Sequence, residues 1–115
     1  MNLISKKITP PKLVCDIPQK ISIELENYRV TKTRYKTLSS MIQAFFPLYL
    51  NEHSNLSISK IALYQSWDSG KNNFSYYLTQ TKYNQLEQLA KAHIRSDKAQ
   101  AIHFIYFIYT YISNN

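Results

Sequence analysis

Glycine and cysteine are nearly absent from this 115-residue sequence, and each scarcity excludes a class of chemistry. The single glycine, Gly70, cannot supply a glycine-rich phosphate loop or a dinucleotide-binding fingerprint, each of which needs several glycines. The single cysteine, Cys15, cannot form an internal disulfide or a cysteine-based zinc site, and we expect it to be a small buried residue. Nucleotide-dependent enzymes and disulfide-stabilised folds are therefore not expected.

Long apolar runs are also missing. The most apolar stretch, residues 101–112, is about 12 residues long and contains His103, whereas a membrane-spanning helix needs about 20. Residues 1–9 include two lysines with no apolar run after them, so they are not expected to be a signal peptide. We therefore predict a cytoplasmic protein with no membrane partner.

The side chains that build active sites and metal sites are few and scattered. His53, His93 and His103 follow one another at intervals of 40 and 10 residues, which gives no ligand pair on one helical turn. No serine lies in a nucleophile-elbow context. The sequence predicts no enzyme activity, no metal site and no cofactor.

Positive charge, by contrast, is in excess. The chain has 14 lysines and arginines against 7 acidic residues, a formal net charge of +7. Such a field favours polyanionic partners, whether DNA, RNA or an anionic membrane surface, without distinguishing among them. At this length we expect the chain to be one domain or two halves that share a core, because two separate cores of half this size would each be only marginally stable.

The first half of the chain predicts an arm and a strand. Residues 1–10 read as a flexible basic arm that ends at two prolines. Residues 12–17 alternate in polarity, which is typical of a strand with one buried face. The predicted inner face holds Leu13, Cys15 and Ile17, and the predicted outer face holds Lys12, Val14 and Asp16.

Two helices are expected next, and the first is ambiguous. Residues 18–30 place apolar side chains at helical spacing, but residues 20–26 also alternate as a strand would, and periodicity leaves both open. Residues 31–36 read as a basic loop, after which Thr37 is expected to cap a second helix that Pro47 should kink. The predicted apolar stripe of that helix comprises Leu38, Met41, Ile42, Phe45, Leu48 and Tyr49. These elements make up a first unit, residues 11–50.

After a connector at residues 51–72, with one short amphipathic element at 58–67, the same order returns in residues 73–115. A second strand is expected to bury Phe74, Tyr76 and Leu78 and to expose Asn73, Ser75 and Tyr77. Thr79 or Thr81 would cap a helix whose predicted core face comprises Tyr83, Leu86, Leu89, Ala90 and Ile94. Ser96 would cap a last helix over 97–112, apolar around most of its circumference and therefore expected in the middle of the core.

Strand, helix and helix thus occur twice, with a period of about 60 residues. Because a lone short strand needs a partner, we predict a mainly α fold with a short two-stranded antiparallel ribbon over helices that share one core. The strand ending at Leu78, the helix opening Asn84-Gln85-Leu86 and the Arg95-Ser96 turn resemble one repeat of the ribbon-helix-helix family, to which Arc and MetJ belong. With two repeats in one chain, the sequence is similar to the TraY-type accessory proteins of conjugative plasmids, which implies an intramolecular pseudo-dimer.

This resemblance implies a sequence-specific double-stranded DNA-binding protein that acts as a transcriptional repressor or as a relaxosome accessory factor in plasmid transfer. The ribbon would read bases in the major groove through Asn73, Ser75, Tyr77, Lys12, Val14 and Asp16. The beginnings of the second helices would bind phosphate at Ser96, Asp97, Lys98, Thr37, Leu38 and Ser39. Three lysines would hold the DNA backbone, namely Lys36, Lys71 and Lys82. Self-association on DNA and a relaxase as protein partner are compatible with this reading.

Two other functions remain open. The chain could be a protein–protein interaction module, such as an adaptor or an antitoxin-like inhibitor, that docks a partner through the ribbon or through the aromatic face of Phe104, Phe107 and Tyr111. An RNA-binding protein is the third reading, although no aromatic-rich strand pair of the RNA-stacking type is present. Asp16 in a reading position and Pro47 in a core helix also leave open whether the first repeat reads DNA or only supports folding.

Overall fold

The computed structural model of the protein describes residues 9–67 and 71–114, and every side chain among them except that of Lys71. Most of the basic arm predicted for residues 1–10, and Gly70, therefore lie outside the described residues. The elements in chain order are β1 (Lys12–Pro18), α1 (Gln19–Lys32), α2 (Leu38–Glu52), a 3-10 turn (His53–Asn55), α3 (Ile58–Ser66), β2 (Lys71–Tyr77), α4 (Gln80–Ala92) and α5 (Asp97–Ser113). The prediction of a mainly helical fold with one two-stranded antiparallel ribbon is confirmed.

The two strands pair with each other in a register centred on Cys15 and Phe74. Lys12 lies opposite Tyr77 at one end, and Asp16 lies opposite Asn73 towards the other. Strand β2 begins at Lys71, inside the segment predicted as a connector. The inner face of the ribbon is buried on the helices, as the alternation predicted, through Leu13, Cys15, Ile17, Phe74 and Tyr76.

Residues 20–26 are helical, which resolves the ambiguity left by their periodicity. Ile21 and Leu25 are buried, whereas Ile23 is 50% exposed. A strand would have turned all three side chains to the same face, so only a helix fits this pattern. Helix α1 extends through Lys32, and the predicted loop at 31–36 is shifted to residues 33–37.

Helix α2 runs from Leu38 to Glu52 without a break at Pro47. The ring of Pro47 lies on the exposed side of the helix, where water can bond the carbonyl that loses its N–H partner. Phe46 is fully buried and Phe45 only partly, the reverse of the predicted stripe. Phe46 packs edge-on against Phe104, at 5.3 Å between ring centroids.

The connector contains the anchored element that its amphipathic pattern predicted, helix α3. Tyr64 of α3 is buried against the rings of Tyr106 and Tyr109, each 5.3 Å away. Its hydroxyl shares a hydrogen bond of 2.8 Å with the hydroxyl of Thr110. The connector is therefore fastened to α5 rather than looped away from it.

Helix α5 is the centre of the core, as its apolar circumference predicted. It packs against α1, α2, α3, α4 and β1. Ten of its side chains are buried, namely Gln100, Ala101, His103, Phe104, Ile105, Tyr106, Phe107, Ile108, Tyr109 and Ile112. Within the described ranges, no helix is both long and apolar enough to cross a membrane.

The end of α4 departs from the prediction. Ile94, expected on the core face of α4, is 95% exposed and adopts a left-handed backbone conformation with φ of 55°. It follows the helix at the position where the chain reverses, and the N–H of Arg95 bonds back to the carbonyl of Ala90 at 2.8 Å. The side chain of Ile94 thus points away from the core that its periodicity suggested.

Candidate nucleic-acid interface

The outer face of the ribbon presents the six side chains that the alternation placed there. All of them are exposed: Lys12, Val14, Asp16, Asn73, Ser75 and Tyr77. The register arranges them in three cross-strand rows, with Lys12 beside Tyr77, Val14 beside Ser75, and Asp16 beside Asn73. The face is mixed in character, since it carries one cation, one anion, an amide, two hydroxyls and one aliphatic side chain.

The first turn of α2 lies at the free edge of β2. The hydroxyl of Ser39 accepts a hydrogen bond of 3.1 Å from the backbone N–H of Tyr77. Thr37 caps the helix, as predicted, by accepting from the N–H of Ser40 at 3.1 Å. The N–H groups of Leu38 and Ser39 have no acceptor within the helix, because the first turn of any helix leaves them unpaired.

The first turn of α5 lies at the free edge of β1 in the same way. A surface depression there is lined by Lys12, Leu13, Val14, Tyr83, Asp97, Lys98 and Ala101. Ser96 caps α5 by accepting from the N–H of Ala99 at 3.1 Å. The ribbon is therefore flanked on both long edges by the N-terminus of a helix.

Both helix starts carry the positive end of a helix dipole and can hold an anion. The two differ in one respect. No acidic residue occurs in the first turn of α2, whereas Asp97 occupies the first turn of α5. In the free protein, the Asp97 carboxylate interacts favourably with the dipole of α5. It would compete with a phosphate for the same N–H groups, so the N-terminus of α2 is the better anion site.

Lysines near these helix starts are not neutralised. The part of the chain that the structure describes has two ion pairs, Lys20–Glu24 and Glu26–Arg29, and neither involves a predicted DNA contact. Lys36 is exposed directly before the cap of α2, and Lys98 lines the depression beside β1. Lys82 is half-buried in the first turn of α4, where its backbone N–H donates to Thr79 at 3.2 Å. The side chain of Lys71 lies outside the described residues.

Two arginines lie beside these helix starts, and neither was predicted from the sequence as a site residue. Arg34 is exposed in the loop before Thr37, and Arg95 directly precedes Ser96. Arg95 is half-buried and its Nη1 donates to Oε1 of Gln100 at 3.0 Å. The available signal was their position one to three residues before a helix cap, which puts a cation beside the positive end of a helix.

The three histidines lie closer together than their spacing suggested. The rings of His53 and His93 are 5.2 Å apart, and His53 also packs on Tyr49 at 5.8 Å. Burial lowers the pKa of His53, and the nearby His93 and Arg95 lower it further. Among the described residues, no three side chains of the metal-binding types form a group that could hold an ion.

A buried polar chain connects α2 with the start of α5. The amide of Gln100 donates to the hydroxyl of Tyr49, which lies 2.8 Å from Nδ1 of His103. The Tyr49 hydroxyl can accept from Gln100 and still share this second hydrogen bond with His103, in which the donor depends on the tautomer of the imidazole. Burial, together with nearby Arg95, His53 and His93, lowers the pKa of His103 to about 4. The spacing of the histidines in the sequence did not predict this contact.

Comparisons with protein families, with curated proteins and with solved structures found no match for this chain.

Proposed function

We propose that this protein binds double-stranded DNA sequence-specifically by inserting its two-stranded ribbon into the major groove. The major groove is wide enough for such a ribbon, and there each base pair presents its own pattern of donors and acceptors. The observation that carries the proposal is the arrangement around the ribbon. Its outer face is free and mostly polar, and a capped helix start lies at each of its two long edges.

The roles of the side chains follow from this arrangement. The six exposed ribbon residues would face base edges, and the first turns of α2 and α5 would grip the phosphates on either side of the groove. Lys36, Lys98, Arg34 and Arg95 would strengthen the binding of the phosphates without reading sequence. The net charge of +7 would speed association and make the affinity depend on salt.

We also infer that residues 11–50 and 73–115 are two ribbon-helix-helix repeats joined as an intramolecular pseudo-dimer. Helix α1 begins at Gln19 and α4 at Gln80, 61 residues later. Helix α2 ends at Glu52 and α5 at Ser113, again 61 residues later. The central pair of the ribbon, Cys15 and Phe74, has a separation of 59 residues, close to that of the helices, as an approximate two-fold axis between repeats would require.

A tandem ribbon of this kind suits a cytoplasmic transcriptional repressor or a TraY-like accessory factor of plasmid transfer. One chain supplies one ribbon, enough for a short stretch of groove. Several chains would therefore self-associate on repeated sites, and a relaxase is a compatible protein partner in the plasmid case. The Gly- and Cys-poor composition that argues against nucleotide-dependent chemistry fits a non-enzymatic role of this kind.

The aromatic face considered for the interaction-module alternative is largely internal. Phe104 and Phe107 are buried inside the chain, where Phe107 packs on Tyr49 at 5.2 Å. Neither of these two rings is available to a protein partner or to a stacked base. Tyr111, the third residue of that face, is 40% exposed, so this alternative keeps Tyr111 and the ribbon face as docking surfaces.

A mobility-shift titration tests the proposal. Purified protein is titrated onto duplex DNA from its own gene neighbourhood, random duplex, single-stranded DNA and RNA, each at two salt concentrations. We expect tighter, salt-sensitive binding to the native duplex, and we expect Asn73→Ala/Ser75→Ala to reduce that preference about tenfold, since good base contacts contribute roughly 1–3 kcal/mol each.

The matched control is Asn51→Ala/Ser54→Ala, which removes the same two side-chain types from exposed positions at the end of α2 and in the 3-10 turn that follows it. It should bind like the parent. Equal loss in both variants, or none in either, would contradict a reading role for the ribbon. No duplex binding at low salt would overturn the DNA-binding proposal and favour the interaction module.

A further inference from the structure

The outer face of the ribbon is chemically asymmetric along its length. The row at one end contains the cation Lys12, and the row at the other end contains the anion Asp16. Lysine can only donate hydrogen bonds, and an ionised aspartate can only accept them. Lys12 and Asp16 of β1 therefore require opposite hydrogen-bonding groups in a bound partner.

The register shows how far this asymmetry goes. In an antiparallel pair, a half-turn about the central residues exchanges equivalent positions of the two strands. Here the rotation about Cys15 and Phe74 exchanges Val14 with Asn73, and Asp16 with Ser75. An aliphatic side chain thus corresponds to an amide, and a carboxylate corresponds to a hydroxyl. Lys12 corresponds to Lys71, whose side chain lies outside the described residues. The face therefore has an approximate two-fold shape, but its middle positions lack two-fold chemistry.

Resting on the DNA-binding function proposed above, we propose that the ribbon recognises a non-palindromic duplex site in a single orientation, with Lys12 at a guanine and Asp16 at a cytosine about four base pairs away. Guanine offers two acceptors in the major groove, which suit a lysine, and cytosine offers an amino donor, which suits a carboxylate. Four residues of strand span about 13 Å, and base pairs are about 3.4 Å apart, which sets the spacing.

Two neighbours complete the pattern. Val14, 46% exposed in the middle row, suits the methyl group of a thymine. Asn73, beside Asp16, suits adenine, which it can bond with both amide atoms. Turned end for end on the same site, the ribbon would bring the Asp16 carboxylate towards a base edge selected by other side chains, and Lys12 would lose its acceptors.

Selection of binding sites from randomised duplex DNA tests this orientation directly. The selected sequence is compared with two palindromic duplexes, each built from one half of the site and its inverted copy. We expect a non-palindromic sequence that binds at least about tenfold more tightly than either palindrome, because each palindrome replaces one set of base contacts. A palindromic selected sequence, or equal affinity for all three duplexes, would overturn the inference.

Two variants test the residue assignments. Asp16→Asn should change the preferred base at one end of the site from cytosine to adenine, and Lys12→Gln should change the preferred guanine at the other end to adenine. Both side chains are exposed, so thermal unfolding should match the parent. Lys60→Gln, an exposed lysine of α3, is the charge-matched control and should leave the selected sequence unchanged.

The outcomes separate this inference from the function on which it rests. The proposed orientation is wrong if Asp16→Asn and Lys12→Gln change the preferred base at the same position of the site, or if neither changes a preferred base. If Asn73→Ala/Ser75→Ala still weakens binding in that case, the ribbon remains the DNA-binding surface. If no sequence is enriched and the ribbon variants bind like the parent, both proposals fall together.

Discussion

Ile94 is held in a conformation that suits glycine and not a β-branched residue. Its positive φ lets the N–H of Ile94 bond to the carbonyl of Lys91 and the N–H of Arg95 bond to the carbonyl of Ala90. These two hydrogen bonds terminate α4. For a side chain with a Cβ, this region costs roughly 1–2 kcal/mol. The exposed side chain recovers little of that cost through burial.

Ile94→Gly should therefore stabilise the protein, by about 1 kcal/mol after the extra chain entropy of glycine is counted. Urea unfolding followed by circular dichroism measures the change. Ile94→Ala is the control, since it removes the same exposed apolar surface but keeps the Cβ, and it should show a smaller gain. A loss of stability in the glycine variant would mean that the Ile94 side chain makes a contact of its own.

His103 gives the protein a stability that depends on pH. The folded state holds it neutral, with a pKa of about 4, whereas the unfolded chain protonates it near pH 6.5. Protons then bind the unfolded state preferentially as the pH falls below 6.5, so stability decreases from there to about pH 4, by up to roughly 3 kcal/mol.

The measurement is the free energy of unfolding at pH 7.5, 5.5 and 4.5 for the parent and for His103→Gln. The variant should be less stable at pH 7.5, because Tyr49 loses its hydrogen bond to the His103 ring, and it should lose less stability on acidification. His93→Gln, at an exposed position, removes only the smallest of the causes that lower the pKa of His103 and should retain most of the slope of the parent. Identical slopes in the parent and in His103→Gln would show that His103 is not the titrating group.

At the scale of the elements, helix starts are the best-defined feature of this fold. Thr37, Ser57, Thr79 and Ser96 each accept a hydrogen bond from an N–H in the first turn of the helix that follows. Three of these caps were predicted, although for α4 the sequence left a choice between Thr79 and Thr81. The structure decides for Thr79 because β2 ends at Tyr77 and the chain must turn at once.

Replacement of the two threonines by alanine distinguishes the cap from its neighbour. Thr79→Ala should cost about 1 kcal/mol of stability, the usual value of a lost N-cap. Thr81→Ala should be neutral or slightly stabilising, since Thr81 is exposed inside the helix and alanine is the better helix former. Thermal or chemical unfolding of both variants provides the comparison, and equal losses would place the helix start elsewhere.

For the whole molecule, the unpaired positive charge predicts how DNA affinity depends on salt. Each lysine that contacts a phosphate releases a counterion and contributes about one unit to the slope of log K against log salt concentration. Lys36→Gln should lower that slope by about one and weaken binding to all duplex sequences alike. Lys60→Gln, which removes the same charge from α3, should change the slope less. Unequal loss among duplex sequences for Lys36→Gln would instead indicate that it reads bases.

The local features of this protein follow from its sequence alone. The strand faces, the helix caps at Thr37 and Ser96, and the apolar circumference of α5 each depend on residues within a few positions of one another. Their period and capping chemistry are short-range, so they can be read before any packing is known. The six outward ribbon residues were predictable for this reason.

The features that depend on residues distant in sequence are set by tertiary packing. The register that sets Lys12 beside Tyr77 and Asp16 beside Asn73 arises from how both strands seat on a shared set of helices. Residues 20–26 are helical because Ile21 and Leu25 fit the core while Ile23 does not. Likewise, the rings of His53 and His93 are in contact because the C-terminal ends of α2 and α4 lie close together. The spacing of residues along the chain carries no information about a contact made by packing.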